Sequence, residues 1–108
     1  MTTTVYWTPG ALLRLQEIQQ YIRDQHEDKV AEKMVATLLT RTRQLEVAPL
    51  SGHKIRGYPD DELRELLEKP YRIIYRVKAH KVEILTVMHY RQLLSKTLQS
   101  LRLVDKTK

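Results

Sequence analysis

Two guanidinium groups four residues apart, in Tyr71-Arg72-Ile73-Ile74-Tyr75-Arg76-Val77, are the strongest chemical signal in this chain. The run is β-branched and aromatic, so it reads as a strand. Alternation then puts Arg72 and Arg76 on one face. Guanidinium grips phosphate or carboxylate through paired N–H donors. A second signal is His89-Tyr90-Arg91, which closes the next apolar run. A histidine there can act as acid or base near neutral pH, and the tyrosine can stack or donate a hydrogen bond. Each residue also has a purely structural reading: Arg76 opposite Glu83 is an ordinary cross-strand pair worth ~0.2–1 kcal/mol, and many strand-end histidines only pack. His26, His53 and His80 fall in turns without metal-ligand spacing, and there is no cysteine. No metal or cofactor site is therefore expected. Phosphate-binding glycine loops, nucleophile elbows and paired carboxylates are also missing from the sequence.

These residues need elements to hold them. Thr4-Val5-Tyr6-Trp7-Thr8 reads as a first strand, stopped by a turn at Pro9-Gly10. Ala11, Leu15, Ile18 and Ile22 then recur with helical period, and Leu12 and Tyr21 are expected to widen the stripe. His26-Glu27-Asp28 breaks the pattern, with Asp28 a candidate cap. Ala31, Met34, Val35, Leu38, Leu39, Thr42 and Leu45 follow as a second helix ending at Pro49 and Ser51-Gly52. The short break between the two implies an antiparallel helical hairpin. Gly57 to Asp61 is turn-like, and Leu63-Arg64-Glu65-Leu66-Leu67 is ambiguous between strand and helical turn. Tyr71–Val77 and Val82–Met88 form a hairpin through Lys78-Ala79-His80-Lys81. The tail from Arg91 to Leu103 has leucines spaced for a short terminal helix, with 104–108 expected to fray.

If position 78 faces 81, then 76 faces 83, 74 faces 85 and 72 faces 87. One face then carries Tyr71, Ile73, Tyr75, Val77, Val82, Ile84, Thr86 and Met88, the floor for the helices. The other carries Arg72, Ile74, Arg76, Glu83, Leu85, Val87 and His89, a half-buried basic surface. The fold class expected is α+β: an N-terminal strand, an antiparallel helical hairpin packed on an antiparallel sheet, and a short C-terminal helix.

Composition sets the outer bounds. The 108 residues suit one domain, 1–108. Nineteen Lys and Arg against 13 Asp and Glu give a formal charge of +6, which favours an acidic partner without naming it. The 42% apolar content is that of a globular protein. No run approaches the ~18 apolar residues of a membrane span, and Met1-Thr2-Thr3-Thr4 is not a signal peptide, so a cytoplasmic location is expected.

Taken together, Ala48-Pro49-Leu50-Ser51-Gly52, Leu63-Arg64-Glu65-Leu66, Tyr71–Val77 and Val82-Glu83-Ile84-Leu85 leading to His89 resemble the RelE/ParE superfamily of type II toxin–antitoxin toxins. The resemblance spans roughly residues 4–94. It implies a cognate antitoxin, acidic where it wraps the toxin, and one of two targets. RelE-like toxins cut mRNA on the ribosome with lysines and arginines; ParE-like toxins inhibit DNA gyrase. Only Arg72 of the RelE cation set is kept, since Leu63 and Glu65 stand where two lysines would be. The later arginine and the C-terminal tyrosine of that set fall near Gln92 and Leu98. Cleaving a phosphodiester needs positive groups where charge develops, and a carboxylate at Glu65 opposes it. The nuclease subgroup typified by YoeB ends in a His-Tyr pair like His89-Tyr90, but its chain stops there. The resemblance therefore implies a ParE-like gyrase inhibitor without catalysis. Arg64, Arg72, Arg76, His89, Tyr90 and Arg91 are the candidate target contacts. The alternative is a ribosome-dependent endoribonuclease using Arg72, His89 and Tyr90.

Overall fold

The computed structural model describes residues 3–55, 62–92 and 94–101. The turn-like stretch at 57–61 and the tail 104–108 lie outside the described residues. Thr4–Trp7 forms β1, Pro9–Gln25 α1, Asp28–Arg43 α2, and Gln44–Glu46 a 3₁₀ turn. His53–Lys54 is β2, Leu63–Glu68 β3, Tyr71–Lys78 β4, Lys81–His89 β5 and Leu94–Ser100 α3. The five strands make one sheet in the order β1-β5-β4-β3-β2. Leu63–Leu67 is thus strand, held by the β4 ladder.

Several expectations change. Pro9-Gly10 is no turn but the first two residues of α1. Thr8 caps it by accepting from the Ala11 N–H at 3.2 Å, and Pro at the first helical position has no N–H to lose. The Thr8 hydroxyl also donates to the Ile84 carbonyl at 2.8 Å, tying the helix start to β5. Asp28 opens α2 rather than capping it; Glu27 is the cap residue and makes no side-chain cap bond. The second helix stops at Arg43, and a 3₁₀ turn carries Leu45 into the core. Leu12 and Tyr21 do not widen the buried stripe: they are 45% and 64% exposed. Nor is the sheet wholly antiparallel, since β1 runs parallel to β5. The short terminal helix is present as Leu94–Ser100, and positions 102–103 of the expected stretch lie outside the described residues.

Ala11, Leu15, Ile18, Ile22, Ala31 and Leu38 pack on Leu66, Tyr71, Ile73, Tyr75, Val82, Ile84 and Val87 in the main core. On the other side of the sheet a smaller cluster joins Ile55, Leu63, Ile74, Met88 and Leu98, with Leu85 and Leu94 against it. The short α3 therefore covers part of the face that carries the arginines.

The β4–β5 turn behaves as the sequence suggests: Lys78 faces Lys81, Val77 faces Val82 and Arg76 faces Glu83. Ala79 takes the left-handed conformation, φ 51°, that such a two-residue turn demands. Tyr75 then faces Ile84 but Ile74 faces Thr86, so Leu85 is an extra residue, a β-bulge. Beyond it the register slips by one: Arg72 faces Met88 rather than Val87, and Tyr71 faces His89. Val87 moves to the helix side, and Met88 to the arginine side. His89 leaves the arginine face altogether.

Candidate functional site

The six candidate residues fall into three places. Arg72 and Arg76 share the face away from the helical hairpin. Arg72 Nη1 lies 3.7 Å from the Glu65 carboxylate, whose side chain is only 14% exposed, and its guanidinium sits 5.4 Å from the Tyr90 ring centroid. Such a stack suits Arg, whose flat guanidinium lies well on an aromatic face. Tyr90 is fixed by its N–H donating to the Pro70 carbonyl at 2.9 Å. Arg76 stands between Leu63 of β3 and Glu83 of β5. This face is a row of charge over an apolar bed, with an aromatic at one end.

Arg64 is elsewhere. It faces Tyr75 on the helix side, where Nη1 donates to the carbonyls of Leu50 at 3.2 Å and Gly52 at 2.9 Å. Tyr75, fully buried, donates to the Pro49 carbonyl and accepts from the Gly52 N–H, both at 2.9 Å. Burial pushes the Tyr75 phenol above its ordinary value, opposed by the Gly52 hydrogen bond and by Arg64 and Arg41. The Ala48–Gly52 stretch, which carries part of the family resemblance, is thus locked to the sheet from beneath. Glycine is required there: a Cβ on Gly52 would lie 2.4 Å from the Tyr75 hydroxyl oxygen and 2.7 Å from the Glu65 carbonyl.

His89 and Arg91 belong to the third place, at the end of β5 beside α1. The His89 ring meets Tyr71 edge-on at 5.6 Å, and its Nδ1 accepts from the Arg91 N–H at 3.0 Å. Tyr71 is itself raised by burial, with Arg14 acting against the shift. The alternative catalytic set of Arg72, His89 and Tyr90 is therefore divided: Tyr90 joins Arg72, and His89 faces α1. Arg14 was not foreseen, although its position, three after Ala11 and four before Ile18, lies on the buried stripe of α1. A charge on such a stripe is the signal that could have found it. Among the described residues there is no cluster of metal-ligand type.

A sheet that hides Tyr71 and Tyr75 under two helices and shows half-exposed arginines on its other face defines a small basic α+β protein. A family model for the ParE toxin of type II toxin–antitoxin systems, parDE, matches residues 5–94, and the chain belongs to this family. Y4kP of Sinorhizobium fredii, whose name marks it as a toxin, is 42% identical over 88 residues, 82% of this chain and 88% of that one. Solved structures share the fold. The chromosomal ParDE system from P. aeruginosa gives a TM-score of 0.70 at 24% identity, covering 81% of this chain and 95% of that one. The RelBE2 toxin–antitoxin complex from Mycobacterium tuberculosis gives 0.63 at 21%, covering 82% and 99%. A mutant of E. coli toxin RelE in the free state gives 0.59 at 17%, covering 96% and 100%.

Proposed function

We propose that this ParE-type toxin acts by binding DNA gyrase through the Arg72–Arg76 face and carries no catalysis of its own. We also propose that a cognate antitoxin, acidic where it meets this +6 chain, neutralises it in the cytoplasm. The observation that supports this most is the group set against Arg72. It is a carboxylate, Glu65 at 3.7 Å, which takes up the guanidinium's charge rather than adding to it. Phosphodiester cleavage needs donors and cations aimed at a developing oxyanion. A partner protein's acidic surface needs only a half-exposed arginine row with an aromatic anchor, and Tyr and Arg are enriched at such contacts. The ribosome-dependent endoribonuclease reading loses its histidine to the other side of the sheet.

Purified toxin should inhibit supercoiling by purified gyrase and accumulate cleaved DNA, and Arg72→Ala should remove most of the effect. Supercoiling that survives a large toxin excess, or transcripts cut on translating ribosomes, would overturn the reading. Induced expression separates the same outcomes in cells: filaments and a DNA-damage response for gyrase, early translational arrest for mRNA.

A further inference from the structure

A cavity of about 290 Å³ opens between α1 and the end of β5, lined among others by Arg14, Glu17, Tyr21, Tyr71, His89 and Arg91. Neither the Arg72 face nor the gyrase reading uses it. Its floor is preorganised. Arg14 Nε donates to the Val87 carbonyl at 3.0 Å, Nη2 to the Gln92 side-chain oxygen at 3.0 Å, and Nη1 pairs with Glu17 at 3.3 Å. Gln92 also accepts from the His89 backbone N–H at 2.8 Å, so the Arg14 guanidinium, the Gln92 amide and the His89 backbone form one braced corner. Because His89 Nδ1 accepts from the Arg91 N–H, a neutral ring carries its proton on Nε2, the nitrogen left to donate to a ligand. Arg91 is exposed on the rim. Two guanidiniums and an imidazole donor thus stand against one carboxylate, and Arg14 already occupies that carboxylate.

The other wall is aromatic. Tyr71 is 5% exposed and fixed edge-on to His89, whereas Tyr21 is 64% exposed and offers a ring at the mouth. Anion donors at one end and a stacking surface at the other are what a phosphate joined to an aromatic base requires. The volume sits at the lower edge of the ~300–1,000 Å³ range of small-molecule pockets, which suits one nucleotide unit and excludes a helix or duplex. We propose that this pocket binds a nucleoside monophosphate group, with the phosphate on His89 Nε2–H and Arg91 and the base against Tyr21. A free nucleotide and the 5′-phosphorylated end of a strand present the same chemistry.

The test is an NMR titration of the full chain, following the His89 imidazole and the tyrosine rings. The probes are 5′-AMP, adenosine, orthophosphate, a 5′-phosphorylated tetradeoxyadenylate and an acetyl-Glu-Tyr dipeptide. AMP should move His89 and Tyr21 together and bind about ten-fold or more tighter than adenosine or orthophosphate. Arg91→Ala and Tyr21→Ala, both at exposed positions, should each weaken AMP about ten-fold while the circular dichroism stays unchanged. Tighter binding of the tetranucleotide than of AMP assigns the group to a strand end, and the reverse to a free nucleotide. The proposal fails if AMP moves neither ring, if orthophosphate binds as well as AMP, if both variants retain wild-type affinity, or if the dipeptide outcompetes AMP. Gyrase inhibition is read separately, so either reading can fail alone.

Discussion

On one face of β4, Tyr71, Ile73 and Tyr75 disappear beneath the helical hairpin; on the other, Arg72 and Arg76 flank Ile74 under a seven-residue helix. The first face uses the buried Tyr75 hydroxyl to make two hydrogen bonds that pin the Pro49–Gly52 loop. The second keeps charges half exposed, which costs core that this side could have had. The larger apolar core lies on one side of the sheet and the half-exposed arginines on the other. The same alternation of side chains produces both.

Mutation can break that contrast. The largest effect should come from Gly52→Ala, because its Cβ would collide with a backbone carbonyl as well as the tyrosine hydroxyl. About 3 kcal/mol or more should be lost, from overpacking plus the hydrogen bonds it disrupts. A denaturant melt within ~0.5 kcal/mol of wild type would show that the loop is not locked.

Next come two deletions of the same size on opposite sides. Leu38→Ala, under the hairpin, should cost ~2–5 kcal/mol. Leu98→Ala should fall at or below the lower end, because α3 can detach while the sheet stays folded. Equal losses would erase the distinction between the faces, and native-state hydrogen exchange would show whether α3 opens first.

Tyr75→Phe should cost ~1–3 kcal/mol by orphaning the Pro49 carbonyl and the Gly52 N–H. It should also change the alkaline limb. The folded phenol holds its proton more tightly than the unfolded one, so its contribution is fully present below the ordinary value of 10.0 and is lost as pH rises above it. The substitution should flatten stability loss above about pH 10, and an unchanged slope would count against the buried phenol as its source. Arg72→Ala should cost about 1–3 kcal/mol, since it leaves the mostly buried Glu65 carboxylate without its cation. Its effect should appear in toxicity as well. A larger loss of stability would make Arg72 a structural residue.

The helical stripe of α1 and the helical hairpin are legible because each rests on local periodicity, whereas Lys78-Ala79-His80-Lys81 carries no Asn-Gly signal and its pairing follows only if position 78 faces 81. Pro9-Gly10 misleads because Pro-Gly serves equally as a turn and, after a Thr cap, as a helix start. The parallel pairing of β1 with β5 leaves no local trace. Arg72 and Arg76 are where alternation puts them, but the separation of His89 from Arg72 is invisible in sequence. Ile84-Leu85-Thr86-Val87-Met88 is nearly apolar in both phases, so its pattern does not reveal that one residue is skipped. The cavity beside α1 is hidden in the sequence for the same reason, since the placing of His89 on its wall follows from the skipped residue.

Leu85 therefore decides more than its own packing. Removing that single residue would take out the bulge yet leave Thr86 opposite Ile74, Met88 opposite Arg72 and His89 opposite Tyr71, because those pairs already skip it. Pairing it regularly with Ile74 is what would turn the imidazole toward the Arg72 guanidinium. One unpaired residue therefore sets which neighbours the end of the strand keeps.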